Sequence, residues 1–267
     1  GKMTGGSSSI NGMVYVRGQS LDYDTWAQHG NKGWGWSEVS KIFQKMENYQ
    51  NSIDDYRGSS GPLGISELAD KNPLYDALLK SAESIGYPVN KDYNGPNQEG
   101  IAKIQATILN GRRMSTDYCY LKPALKRSNL NIITEAMTEK LIIDNNQCTG
   151  VIYKKNNQIF KTLCNKEVIL SAGAIASPQI LELSGIGNPE ILNINGIAVK
   201  HSLPAVGENF QDHFMARLQW KLKDKKTSYN YKGRGINKIS EMIKYIIARK
   251  GLFSLPAASI IAFLKTQ

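Results

Sequence analysis

Residues 168–187 restrict the fold more than any other stretch. Val168-Ile169-Leu170-Ser171 has no polar alternation, so it reads as a short strand covered on both faces, as in a parallel sheet. It passes straight into Ala172-Gly173-Ala174, small enough for a tight turn, and then into a helix reading over 177–183. Ser177 and Pro178 suit the N-cap and first helical position, and Ser184-Gly185 suits the C-terminal end. A buried strand, a small-residue turn and a helix form the unit that receives an anionic cofactor at a helix N-terminus, so the expectation is an α/β fold.

Upstream of that unit, short β-rich runs occupy 131–134, 138–143, 150–153, 158–162 and 167–170. Asp144-Asn145-Asn146 and Asn156-Asn157 lie between them and supply turn chemistry, so the runs read as hairpins or a meander. Earlier still the period changes. Residues 26–49 have helical character, with Ser37 as N-cap and Val39, Ile42, Phe43 and Met46 on one face. A second helix begins near Pro73 and runs through Leu74, Ala77, Leu78 and Ala82 to Gly86. Residues 58–64 read as loop, and Asp92-Tyr93-Asn94-Gly95-Pro96-Asn97 as a turn cluster.

The 267 residues carry a net charge of +10, and most of it is local. Residues 221–250 hold ten Lys and Arg against Asp224 and Glu241, with no nucleic-acid motif beside them, which argues against a nucleic-acid partner. In the same stretch Ile236, Ile239, Met242, Ile243, Ile246 and Ile247 recur at helical spacing. That pattern fits a helix packing one face on the core, a helix lying on a membrane surface, or a site for an acidic partner. No apolar run reaches the ~20 residues that span a bilayer. Cys119, Cys148 and Cys164 are an odd count without Cys-x-x-Cys spacing, which argues against a disulfide framework and a zinc site.

The second chemically suggestive stretch is the beginning of the chain, Gly1-Lys2-Met3-Thr4-Gly5-Gly6-Ser7-Ser8-Ser9-Ile10-Asn11, followed by Gly12-Met13-Val14-Tyr15-Val16-Arg17-Gly18. Paired glycines let the backbone approach a planar ring or a phosphate, and Asn11 offers both donor and acceptor. By composition alone the Gly/Ser run also fits a flexible linker, although a linker has no reason to return at once to Met-Val-Tyr-Val.

Together these two stretches resemble the two signatures of the glucose-methanol-choline (GMC) flavoprotein oxidoreductases, in order and at about the right distance apart. The likeness extends to Asp22-Tyr23-Asp24 with Trp26, to the 92–97 turn, to Gly111-Arg112-Arg113-Met114-Ser115-Thr116 and to Val206-Gly207-Glu208-Asn209-Phe210-Gln211-Asp212-His213. Within the family it is most similar to the insect branch of glucose dehydrogenases and ecdysone oxidases.

The resemblance implies an FAD-binding, doubly wound (Rossmann-like) α/β domain interleaved with an α+β substrate domain, each only partly present. Residues 1–35 and 126–195 would belong to the FAD-binding domain, 36–125 to a lid and substrate segment, and 196–267 to the substrate domain. Met3, Gly5, Gly6, Ser7, Asn11, Gly12, Met13 and Val14 would line the pyrophosphate and isoalloxazine. Backbone groups of Met137 would hold the adenine, a position that a plain core methionine fits equally. Ala172 and Gly173 would face the ribose and phosphates. Some members attach the flavin through a His just before the motif Asn; here that residue is Ile10, which implies non-covalent FAD.

The implied reaction oxidises a CH–OH group of an alcohol, sugar or steroid alcohol, with hydride passing to flavin N5 and oxygen or a quinone as electron acceptor. A His base and a second His or Asn serve it in the family, and both are expected beyond Gln267, so no catalytic residue is assigned to His29, His201 or His213. The family's opening Gly-x-Gly-x-x-Gly strand is not in this sequence either, which implies a piece that neither folds well nor turns over alone. The competing expectation is a relative that has lost its chemistry and serves as a binding or structural protein. Cellular location stays open, an extracellular one included.

Overall fold

Helix starts are set by bonds that the sequence displays only in part. In the computed structural model, which describes residues 1–51, 55–216 and 218–265, the helical reading of 26–49 holds only for α2 (Trp36–Met46): an earlier helix, α1 (Ser20–Gln28), ends inside the range, 29–35 are turn and coil, and 47–49 are a strand. Gly35 caps α2 instead of Ser37. The Trp36 amide donates to Asp24 Oδ1 at 2.8 Å, while the Ser37 hydroxyl turns to Glu38 Oε2. Tyr23 of α1 meets the rings of Trp36 and Phe43 of α2 at centroid distances of 5.5 and 5.8 Å, which joins the two helices.

The chain divides into two compact units, Gly1–Leu130 with Trp220–Gln267, and Asn131–Gln219. In the first unit β1 (Glu47–Tyr49) pairs parallel with β2 (Leu63–Glu67). Helix α3 (Pro73–Ser84) follows as expected: Asn72 accepts the Leu74 amide at 3.1 Å, and Gly86 ends the helix. After β3 (Gly100–Lys103), β4 (Gln105–Ala106) returns antiparallel to β2. Next comes a hairpin of β5 (Ile108–Leu109) and β6 (Arg112–Arg113). Its turn residues, Asn110 and Gly111, have φ of 51° and 67°, the left-handed pair of a type I′ turn. A π-helical turn at Asp117–Leu121 leads into the short α4 (Lys122–Ala124). Tyr49, Leu63, Ile65, Met114 and Cys119 form the buried core between these elements.

The second unit is built on the expected meander of β7 (Met137–Asp144), β8 (Gln147–Lys155) and β9 (Gln158–Leu163). Both connections have two residues, and Asn145, Asn146, Asn156 and Asn157 all take φ between 49° and 60°. Asparagine tolerates that region because its side chain can satisfy nearby backbone, so the two Asn pairs set the pairing beside each turn, and irregularities at Thr138/Lys140 and Ile142/Ile143 then shift the β7–β8 register. Helix α5 (Ala176–Leu183) lies on β7, where the Leu141 amide donates to Ser184 Oγ at 2.8 Å. Short β10 (Ile186–Gly187), α6 (Pro189–Ile194) and β11 (His201–Ser202) follow, the two strands pairing parallel.

Three local expectations are corrected here. Residues 131–134 and 167–170 are not strands. Ile169 is 79% exposed: apolar content makes a strand only where a neighbour supplies hydrogen bonds, and among the described residues none pairs with it. Helix α5 starts at Ala176, one residue before the expected cap; the Ser177 hydroxyl instead accepts the Ala172 amide at 3.1 Å. The mixture of helices and strands along the chain is that of the expected α/β class.

The last segment returns to the first unit as α7 (Tyr229–Lys232), α8 (Gly235–Ala248) and β12 (Ile260–Phe263), and β12 pairs antiparallel with β3. Tyr75 and Tyr229 bond hydroxyl to hydroxyl and share Asp70 Oδ2, each at 3.1 Å, while Ser259 Oγ lies 3.0 Å from both phenols. This ring stitches the segment down. Helix α8 is turned the other way from a core-packing helix: Ile236, Ile239, Ile243, Ile246 and Ile247 are exposed, and the buried residue is Glu241. The carboxylate is held inside by the Lys244 ammonium at 2.6 Å and the Leu252 amide at 2.8 Å. Among the described residues no helix is long and apolar enough to cross a membrane.

Candidate functional site

The Gly/Ser stretch at the start of the chain is an ordered bend. Residues Gly6–Ser9 form a 3₁₀ turn entered through Gly5 at φ 83°. The Ser8 hydroxyl bonds to the Gly5 carbonyl and lies 3.1 Å from Thr116 Oγ1, and the Ser9 hydroxyl donates to the Thr4 carbonyl at 2.9 Å. The Gly6 amide donates to the Met3 carbonyl at 3.0 Å, closing the turn before the bend. Asn11 Oδ1 accepts the Met13 amide at 3.1 Å, which holds Met13 in the left-handed region at φ 62°. A side-chain-bearing residue adopts that region only where its surroundings impose it.

The far end of the bend is pinned by strand-like bonds. Thr107 donates its amide to the Met13 carbonyl at 2.8 Å, Val14 bridges to Ala106, and the Tyr15 amide donates to the Gln105 carbonyl at 2.9 Å. Gly12 accepts the Ala257 amide at 2.9 Å. The bend therefore has a packed side and an open side. A Cβ on Gly5 would meet Ser9 Oγ at 2.5 Å and Asp117 Cβ at 3.1 Å, whereas one on Gly6 would find nothing within 4 Å. An open glycine with φ 53° is where a planar or phosphate-bearing ligand can come against the backbone.

Beside the 13–17 segment lies a buried polar network that sequence reading missed. Glu47 is fully buried between two guanidinium groups, Arg17 on one side and Arg57 on the other. Arg57 also donates to Asp92 Oδ1 at 2.7 Å and to Gln105 Oε1 at 3.1 Å, so two cations face two carboxylates. Burial lowers the Arg17 guanidinium from the ordinary arginine range. The 92–97 turn anchors this network: Tyr93 and Asn94 are buried and donate to the Tyr15 carbonyl at 3.0 and 3.1 Å, and Asn94 Oδ1 accepts the Arg17 amide at 2.6 Å. Burial pushes the Tyr93 and Tyr49 phenols upward.

Met3, Gly5, Gly6, Ser7, Asn11, Gly12, Met13 and Val14 thus all lie on this one bend in the first unit, each exposed or half-buried. Met137, Ala172 and Gly173 lie in the second. Met137 opens β7, pairs with Lys154 and is 62% exposed, so the plain core-methionine reading is corrected: the side chain stands at the strand end. Ala172 and Gly173 are exposed in the turn before α5; Gly173 has φ 96° with nothing within 4 Å of an added Cβ, like Gly6. Ile10, the residue before the motif Asn, is 63% exposed. His29, His201 and His213 are all exposed.

Residues 1–215 match the family model described as GMC oxidoreductase. The chain is similar to an oxygen-dependent choline dehydrogenase of Photobacterium profundum, 42% identical over 222 residues, covering 82% of this chain and 39% of the relative. It is similar to the mitochondrial choline dehydrogenase of Homo sapiens as well, 42% identical over 219 residues, covering 82% of this chain and 37% of the relative. Among solved structures, the R554A formate oxidase of Aspergillus oryzae RIB40 superposes with a TM-score of 0.85 at 26% identity, covering all of this chain and 48% of that one. The chain spans less than half the length of each of these proteins. The match over 1–215 and the shared fold place the chain in the GMC oxidoreductase family.

Proposed function

We propose that the whole protein is an FAD-dependent oxidoreductase acting on CH–OH groups of donors, with this chain supplying part of the flavin cradle. The observation that carries the reading is the ordered 5–14 bend, packed against Asp117 at Gly5 and open at Gly6. FAD, when bound, supplies the hydride acceptor at flavin N5. On this reading Met3, Gly5, Gly6, Ser7, Asn11, Gly12, Met13 and Val14 line the pyrophosphate and isoalloxazine. The backbone of Met137 holds the adenine, and Ala172 and Gly173 face the ribose and phosphates. Ile10 has no nucleophilic atom for the ring, so the flavin is held without a covalent bond.

The same reading assigns 1–35 and 126–195 to the FAD-binding domain, 36–125 to a lid and substrate segment, and 196–267 to the substrate domain. The relatives' names direct the first substrate trial to choline, and one of them to oxygen as acceptor; sugar and steroid alcohols and a quinone acceptor come next, on the family resemblance alone. The test is the purified whole protein. It should show oxidised-flavin absorbance, release all of that flavin on acid precipitation, and bleach when an alcohol substrate is added without oxygen. A protein that stays colourless after reconstitution with FAD would sink the proposal.

A further inference from the structure

A single nitrogen of Arg113, Nη1, donates to the Ser8 carbonyl at 3.1 Å, to the Asn11 carbonyl at 2.8 Å and to Asn11 Oδ1 at 2.8 Å. These oxygens come from the two ends of the 8–11 segment, so one guanidinium closes the bend. Asn11 Oδ1 is also the acceptor that holds Met13 left-handed, so the conformation at Met13 depends on where Arg113 places Asn11. Thr116 grips the other end: its amide donates to Ser8 Oγ at 3.0 Å and its hydroxyl to the Gly5 carbonyl at 3.2 Å.

The arginine itself is fixed by the type I′ turn at Asn110-Gly111, which sets β6 against β5. Strand alternation sends the two neighbouring arginines to opposite faces. Arg112 is exposed and stacks over the Tyr118 ring, its Cζ 4.1 Å from the centroid, whereas Arg113 is half-buried on the bend. The pair is thus a natural internal control.

We infer that Arg113 is a positioning residue that presets the 5–14 bend for the flavin nucleotide, an inference that rests on the FAD reading above. Charge-assisted hydrogen bonds to carbonyl oxygens are about twice as strong as neutral ones. Without them a Gly- and Ser-rich segment regains its conformational freedom, and the ligand must order it on binding. Arg113 holds the peptide groups in place and takes no part in the chemistry.

The experiment uses the whole protein with Arg113→Met, Arg113→Lys and Arg112→Met. FAD affinity is read by quenching of flavin fluorescence, the bound flavin by its visible absorbance and circular dichroism, and the bend by hydrogen exchange of peptides covering 3–14. Arg113→Met should raise the FAD Kd about tenfold or more, alter the bound-flavin circular dichroism and deprotect the bend in the apo protein. Arg113→Lys keeps the charge and should fall between Arg113→Met and the parent in all three. Arg112→Met should match the parent.

If Arg113→Met does not fold, Arg113→Lys decides: an unchanged Kd and unchanged exchange at 3–14 overturn the inference. An Arg113→Met protein that binds FAD within twofold of the parent overturns it too. A parent protein that binds no FAD at all would instead overturn the proposed function, and exchange at 3–14 would still report whether Arg113 orders the bend.

Discussion

Arg57 grips Glu47 as a fork: Nε lies 3.0 and 3.2 Å from the two carboxylate oxygens and Nη2 lies 2.9 Å from Oε2, with both side chains excluded from water. Arg17 faces the same carboxylate, so Glu47→Gln leaves two buried guanidinium groups short of one negative charge. Breaking a buried pair in this way costs roughly 3–5 kcal/mol. Glu47→Gln should therefore lower the thermal midpoint sharply, and a chemical denaturation curve within about 1 kcal/mol of the parent would contradict it.

The Tyr75 and Tyr229 phenols are both raised above the ordinary value of 10.0, chiefly by burial. An acid whose folded pKa is raised stays protonated in the native state while the unfolded chain ionises. The stability these phenols contribute is therefore complete below pH 10 and falls as pH rises beyond it toward the folded values. Thermal midpoints should decline through this window, together with late phenolate absorbance, and Tyr229→Phe should flatten the decline. An identical slope in Tyr229→Phe would count against the assignment.

Gly6 has open space on its Cβ side, so Gly6→Ala should leave the fold almost untouched, costing about 1–2 kcal/mol for a left-handed alanine. The added methyl should meet the flavin nucleotide and raise its Kd at least about tenfold, an effect of roughly 1.4 kcal/mol or more. Titration with FAD checks this, and an unchanged Kd would place the ligand elsewhere.

Asn157 holds φ 60° at the second turn position between β8 and β9. Asn157→Ala should cost about 1–2 kcal/mol of stability and Asn157→Gly should cost less. Equilibrium unfolding of the two variants gives the comparison, and equal losses would argue that the side chain does more than permit the turn.

Local chemistry was the legible part of this chain. The Asn145-Asn146 and Asn156-Asn157 pairs announced their hairpins, and Pro73 its helix, because turn and cap preferences act within a few residues. The Gly/Ser bend was legible through its resemblance, whereas its composition alone left a linker open. The Glu47 network was illegible: its members are scattered along the sequence, and charged residues ordinarily read as solvated. For α8, periodicity found an apolar face but could not show which way it turns, since Glu241 chooses its side through bonds to Lys244 and Leu252. The 168–170 run read correctly as apolar, but a strand is a property of two segments and no pattern in one names the other.

The outer margin of the meander carries a practical hazard. β9 is exposed along its whole length, with Ile159 and Leu163 70% and 65% accessible, and Ile169 stands bare a few residues on. Unpaired extended backbone bearing greasy side chains is a template for intermolecular strand addition. Residues 1–267 handled by themselves at high concentration should therefore cluster through this margin, and a lysine in place of Ile159, aimed at solvent, should keep the preparation dispersed without disturbing either asparagine turn.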